Sequence, residues 1–185
     1  MNSFRTIINN LFNKHLFITN VASSSLLMAA GDAIEQKMDF ADKGESHKWS
    51  RTGNMIGVGL LLGPLQHIFY KCIDERFPSR DIRSVFKKIA LDQIIASPVY
   101  IVAFFICCGT LERKIEESKK EIKNKFFDIY TVDCLVWPPS QFINFFFVSP
   151  QFRMLYVNCT TMIYDVFLTY IKHKDTSSSS SGRLQ

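Results

Sequence analysis

Hydrophobic and polar positions alternate in blocks along this chain rather than residue by residue. Thr52 to Tyr70 carries no Asp, Glu, Lys or Arg, and neither does Gln93 to Leu111 or Cys134 to Phe152. Met154 to Tyr164 stays apolar beyond the single Arg153. An uncharged run of about 18 residues or more is long enough to cross a bilayer as a helix. The blocks predict helices over roughly 16–37, 50–74 and 85–112, and a fourth membrane element from near 130 to 171. Between them lie polar connections at 38–51 and 75–87, and a Lys- and Glu-dense stretch at 113–128 that reads as a solvated helix. The expected fold class is an all-α integral membrane bundle of about four transmembrane helices, with an amphipathic N-terminal helix and a charged solvent helix. A soluble helical bundle is the competing architecture.

The expected layout is an amphipathic, targeting N-terminal segment at 1–15, one membrane domain at 16–172 and a disordered, Ser-rich tail at 173–185. In the N-terminal segment Phe4, Ile7, Ile8, Leu11 and Phe12 recur at helical spacing beside Arg5 and Lys14, and residues 1–31 contain no acid. A basic amphipathic start resembles a mitochondrial address, and an interfacial helix shares the pattern. Composition adds to this picture. Of 185 residues 47% are hydrophobic and 21% charged, and the net charge is +5. The cations are spread over loops among acids, so no basic stripe for nucleic acid emerges, and basic loops of a membrane protein account for the excess. The five cysteines include no Cys-x-x-Cys and read as small apolar residues.

The most unusual stretch is Trp137-Pro138-Pro139-Ser140-Gln141-Phe142-Ile143-Asn144-Phe145. Adjacent prolines remove two backbone donors, so a helix here is expected to be interrupted, with Pro139 opening the next one. Gln141 and Asn144 then share a face, three residues apart. Carboxamides are costly in lipid unless they bond to another helix or face water. Asp32 and Gln36 pair at spacing four, Gln66 and His67 follow Gly63-Pro64, and Asp92-Gln93 precedes Pro98. Gly53, Gly57, Gly59 and Gly63 form two Gly-x-x-x-Gly spacings, a mark of close helix contact. Trp49 stands where an interfacial anchor belongs.

These residues together resemble the Mpv-seventeen and peroxisomal membrane protein family over about residues 16–172. The resemblance rests on Trp137-Pro138-Pro139-x-Gln141-x-x-Asn144-Phe145 with Arg153, and on Trp49-x-Arg51-Thr52, Gly63-Pro64 with His67 and Tyr70, and Asp92-Gln93 with Pro98. Leu27 to Asp32, Asp92 to Pro98 and Pro150 to Arg153 look most like the second Mpv-seventeen-like subgroup. Asn54 departs from the family pattern, which often has Arg there. The resemblance implies four membrane helices, no cofactor and a mitochondrial inner membrane location, with the peroxisomal membrane as alternative. It also implies either a scaffold for mitochondrial ribosome assembly and translation, or a weakly selective channel for small metabolites.

The two readings use the same residues. A pore would be lined by Asp32, Gln36, Gln66, His67, Asp92, Gln93, Gln141 and Asn144, which otherwise serve as inter-helix locks. A scaffold would present basic loops and the 113–128 helix to mitochondrial ribosomal or assembly proteins, alone or as a homo-oligomer. No nucleophile motif, metal-ligand spacing or phosphate loop supports an enzyme, and no direct nucleic-acid contact is expected.

Overall fold

The computed structural model describes residues 10–43 and 46–166. The first nine residues of the N-terminal segment and the Ser-rich tail at 173–185 lie outside the described residues. Every regular element among those described is helical. A π-helical turn at Asn10–Lys14 leads into α1 (Leu16–Lys43), followed by α2 (Trp49–Arg76), α3 (Ile82–Leu91) and a second π-helical turn at Asp92–Ala96. Next come α4 (Ser97–Leu111), α5 (Ile115–Phe147), a 3₁₀ turn at Pro150–Phe152, and α6 over 153–166. Among the described residues three helices are long and apolar enough to cross a membrane: Leu16–Phe40, Trp49–Arg76 and the continuous rod Ile82–Leu111.

Local chemistry explains the boundaries. Asp81 caps α3 by accepting from the Ser84 N–H at 3.0 Å. The π turn at 92–96 precedes Pro98, which has no N–H to return to the preceding turn. The wider turn bonds Ser97 N to Asp92 O, and the Tyr130 hydroxyl of α5 donates to Gln93 O at 3.1 Å. Asp92 therefore stands inside the rod Ile82–Leu111, buried, and not at a polar entrance.

The interruption expected at Trp137-Pro138-Pro139 does not occur. α5 runs unbroken from Ile115 to Phe147, about 50 Å, with Pro138 and Pro139 inside it. The helix is tied down on both sides of the lost backbone bonds. Asp133 accepts from Ser97 Oγ at 2.9 Å, Gln93 Nε2 donates to Cys134 Sγ at 3.3 Å, and Gln141 is anchored one turn later. The chain breaks instead at Val148 and Ser149, both extended, because Pro150 disfavours helical geometry in the residue before it. For the same reason the charged stretch at 113–128 is no separate solvent helix. It is the first half of α5.

Close seams hold the helices together. A Cβ on Gly59 would stand 2.4 Å from Ser25 Cα, and one on Gly63 would stand 3.0 Å from Val21 Cα, so α1 and α2 touch backbone to backbone. Of the other glycine pair, Gly57 faces the Leu111 side chain and Gly53 faces open space. Gly109 of α4 lies against Ser118 of α5, and Gly31 of α1 against Met162 of α6. The apolar core joins Tyr70 and Ile73, Val85 and Ile89, Phe145 and Val157, from four different helices.

Candidate functional site

Most of the polar residues singled out by the sequence lie in the interior and gather in three networks. The first ties the end of α1 to the start of α2. Asp32 Oδ2 accepts from Gln36 Nε2 at 2.7 Å and from Thr52 Oγ1 at 2.6 Å, while its Oδ1 faces Arg51 Nε at 2.7 Å. Arg51 also reaches Glu35 at 2.8 Å and Asp39 at 3.8 Å. Lys48, which precedes α2, has no side chain able to cap it. Gln36 of the neighbouring helix instead fixes the backbone of Lys48 itself, accepting from Lys48 N and donating to Lys48 O, which also accepts from the Arg51 and Thr52 N–H groups.

The second network holds α5 against α2 and the π turn. Gln141 Nε2 donates to Tyr70 Oη at 2.7 Å and to Asp92 Oδ2 at 3.0 Å. Asn144 Nδ2 donates to Gln141 Oε1 at 2.8 Å. The carboxamides thus fall on one face, as their spacing requires, and each Gln141 atom is occupied. Asn144 Oδ1 and Tyr100 Oη are buried without a partner among the described residues.

The third network was only half visible in the sequence. Lys88 Nζ donates to Asp74 Oδ1 at 2.9 Å, and Arg153 Nη1 pairs with that same oxygen. Arg153 Nη2 donates to Phe145 O at 3.2 Å. Both cations also lie over the Phe145 ring, Lys88 Nζ at 5.6 Å and Arg153 Cζ at 5.2 Å from its centroid. Lys88 and Arg153 are each 1% exposed, so two buried cations share one carboxylate. Arg153 was flagged as a motif residue, whereas Lys88 and Asp74 were missed. The available signal was Lys88 itself, which falls on the buried stripe of α3 with Val85 and Ile89.

A polar ladder runs along α1 between these groups. Asn20 Nδ2 meets His67 Nδ1 at 3.0 Å, and Asn158 Nδ2 of α6 donates to Ser24 Oγ at 2.7 Å. His67 therefore pairs with α1, and the neighbour of Gln141 is Asp92. Gln66 is half-buried and joins none of these networks, and Gln93 bonds to α5 from the π turn, through Cys134 and Tyr130. Trp49 is 78% exposed at the first turn of α2, as an interfacial anchor should be. Among the described residues no three metal-binding side chains cluster.

Comparison with known proteins bears on this architecture. Residues 109–169 match the model of the Mpv17 / PMP22 family. The chain is 31% identical to PXMP2/4 family protein 4 of Dictyostelium discoideum, covering 84% of this chain and 86% of that protein. It is 25% identical to mitochondrial inner membrane protein Mpv17 of Danio rerio, over 89% of this chain and 94% of the relative. Peroxisomal membrane protein 2 of Bos taurus is 28% identical, over 82% of this chain and 80% of its own. No solved structure matches.

Proposed function

The chain belongs to the Mpv17 / PMP22 family of membrane proteins, and from that premise we propose that it is a non-catalytic scaffold of the mitochondrial inner membrane, recruiting ribosomal or assembly proteins. One observation carries this reading. Five of the eight residues that a pore would set against water, Asp32, Gln36, Asp92, Gln141 and Asn144, are at most 6% exposed. All five are bonded to one another or to neighbouring helices, so their polarity serves to lock helices together.

The rod Ile82–Leu111 with α1 and α2 supplies three crossings. The stretch 130–166, α5 turning into α6, forms the fourth membrane element as a helical hairpin. The first half of α5 then stands outside the apolar layer as the docking surface. Its Lys119–Glu116 and Lys125–Glu121 pairs are exposed and leave both charges available to a partner. The acid-free N-terminal 31 residues and the mitochondrial relative favour the inner membrane, and the peroxisomal relative keeps the peroxisomal membrane as the alternative.

Co-sedimentation of the solubilised protein with mitochondrial ribosomal particles tests the proposal. Binding is expected, and reversal of Lys119, Lys123 and Lys125 to Glu should abolish it. Failure of the unaltered protein to sediment with the particles refutes the ribosomal role. The polar ladder Asn20–His67 and Ser24–Asn158 favours a second reading, a small-metabolite channel that opens along α1. Conductance of purified protein in planar bilayers decides between them, since a scaffold passes no current.

A further inference from the structure

A cavity of about 480 Å³ opens where α1 begins and α2 ends. Its wall is of two kinds. Leu16, Phe17, Pro150 and Met154 are apolar, while Lys14, Asn20, His67 and Lys71 bring polar atoms. Leu16, Phe17 and Asn20 lie at the start of one candidate span, Leu16–Phe40, His67 and Lys71 lie toward the end of another, Trp49–Arg76, and Lys14 directly precedes the first. In a bilayer the ends of the spans stand at head-group depth.

The charge around the cavity is unbalanced. Asp74 lies in the wall, and its carboxylate is already shared by the buried Lys88 and Arg153, one cation more than it can neutralise. Lys14 has no ion-pair partner among the described residues. Lys71 and Glu75 sit 3.9 Å apart, both well exposed, and such a pair holds its Lys weakly. Glu75 lines the cavity beside Asp74, and with Lys88 and Arg153 behind the wall the four cations Lys14, Lys71, Lys88 and Arg153 stand against these two acids, a positive excess. Two neutral groups add direction. Asn20 Nδ2 lies 3.0 Å from His67 Nδ1, and in the tautomer in which that nitrogen accepts, Nε2–H is left to donate. Asn20 is 4% exposed, and its Oδ1 is a buried acceptor with no donor among the described residues. A ligand that satisfies this wall carries an anion for the lysines and His67, a hydroxyl for Asn20 Oδ1, and apolar bulk.

We propose that this cavity binds the head group of an anionic glycerophospholipid, with Lys14, Lys71 and His67 on the phosphate and Asn20 accepting from a glycerol hydroxyl. The acyl chains follow the Leu16, Phe17 and Met154 side of the wall into the bilayer. A soluble glycerol phosphate offers the same polar chemistry without the chains, so the experiment separates the two sources. It is independent of the scaffold role.

The full chain is purified in detergent and exposed to vesicles of mixed phosphatidylglycerol and phosphatidylcholine, and retained lipid is read by native mass spectrometry. Phosphatidylglycerol is expected to be retained in roughly tenfold or greater preference, because both lipids carry the phosphate but only phosphatidylcholine sets a quaternary ammonium against the lysines, and only phosphatidylglycerol brings head-group hydroxyls for Asn20. Lys14→Gln with Lys71→Gln should erase the preference. Lys119→Gln with Lys123→Gln, which changes the net charge equally on the exposed part of α5, should preserve it. All four lysines are exposed, so the folded bundle is retained in both doubles. Glycerol 3-phosphate that fails to displace the lipid supports the lipid assignment, and displacement at equal concentration reassigns the site to a soluble phosphate ester. Equal retention of the two lipids, or equal loss in the two double variants, overturns the site.

Discussion

Removing Asp74 should damage the protein far more than removing either cation it serves. Lys88 and Arg153 both reach Asp74 Oδ1, and both are 1% exposed. In Asp74→Asn two buried cations lose the acid they share, the only one they pair with among the described residues, and breaking a buried pair by deleting one partner costs about 3–5 kcal/mol. For a chain of this size 1 kcal/mol moves the melting temperature by about 2–4 °C, so the expected loss is roughly 6–20 °C. Arg153→Met behaves differently. It forfeits the charged hydrogen bond to Phe145 O, about 1.5–3 kcal/mol, and the contact with the Phe145 ring. It also relieves Lys88 of a like charge and leaves the Lys88–Asp74 pair balanced. Its loss should therefore be the smaller. Converting all three residues, Asp74→Asn with Lys88→Met and Arg153→Met, should recover much of the single-variant loss, since an uncharged replacement leaves no orphaned charge. Thermal unfolding in one detergent, followed by helical circular dichroism, reads all three variants. If Asp74→Asn melts no lower than Arg153→Met, or the triple variant no higher than Asp74→Asn, the shared-carboxylate account fails.

Gly59→Ala should destabilise strongly, because the new methyl carbon would overlap the Ser25 backbone, whereas Gly53→Ala faces open space and should gain about 0.5–1 kcal/mol; a shared response in chemical unfolding would sink the seam assignment. Asn144→Leu is expected to lower stability by about 0.6–1.7 kcal/mol while leaving bilayer conductance at baseline, and a change in current would move the residue to a channel wall. Thr52→Val removes one donor to Asp32 and leaves only Gln36 and Arg51 of that network to hold the α1–α2 corner, so proteolysis of the connection between α1 and α2 should accelerate; an unchanged cleavage rate argues against a lock there. Replacing Arg5 and Lys14 with Glu should reduce mitochondrial import in an organelle uptake assay, and normal uptake would locate the address elsewhere.

Much was legible from residue order alone. Long uncharged runs identify membrane helices because lipid cannot serve a charge or an open backbone group, and this argument needs no partner. The same rule requires that Asp32, Gln36, Gln141 and Asn144 find polar company, and their spacing fixes which of them share a face. What spacing cannot say is which helix supplies that company. Gln141 turned to Tyr70 and Asp92, His67 to Asn20, and Arg51 to three acids of α1, choices made by how the helices cross. Proline gave the opposite error. A lone sequence reads Pro138-Pro139 as a break, yet α5 stays continuous through it, tied before the prolines by the bonds with Ser97, Gln93 and Tyr130 and after them by Gln141. The break passed to Val148 and Ser149, next to Pro150. Local propensity states a cost of a few kcal/mol, and tertiary packing decides whether contacts elsewhere outweigh it. The convergence of Asp74, Lys88 and Arg153 on Phe145 belongs wholly to that second kind, since residues so far apart in the chain meet only when the bundle closes.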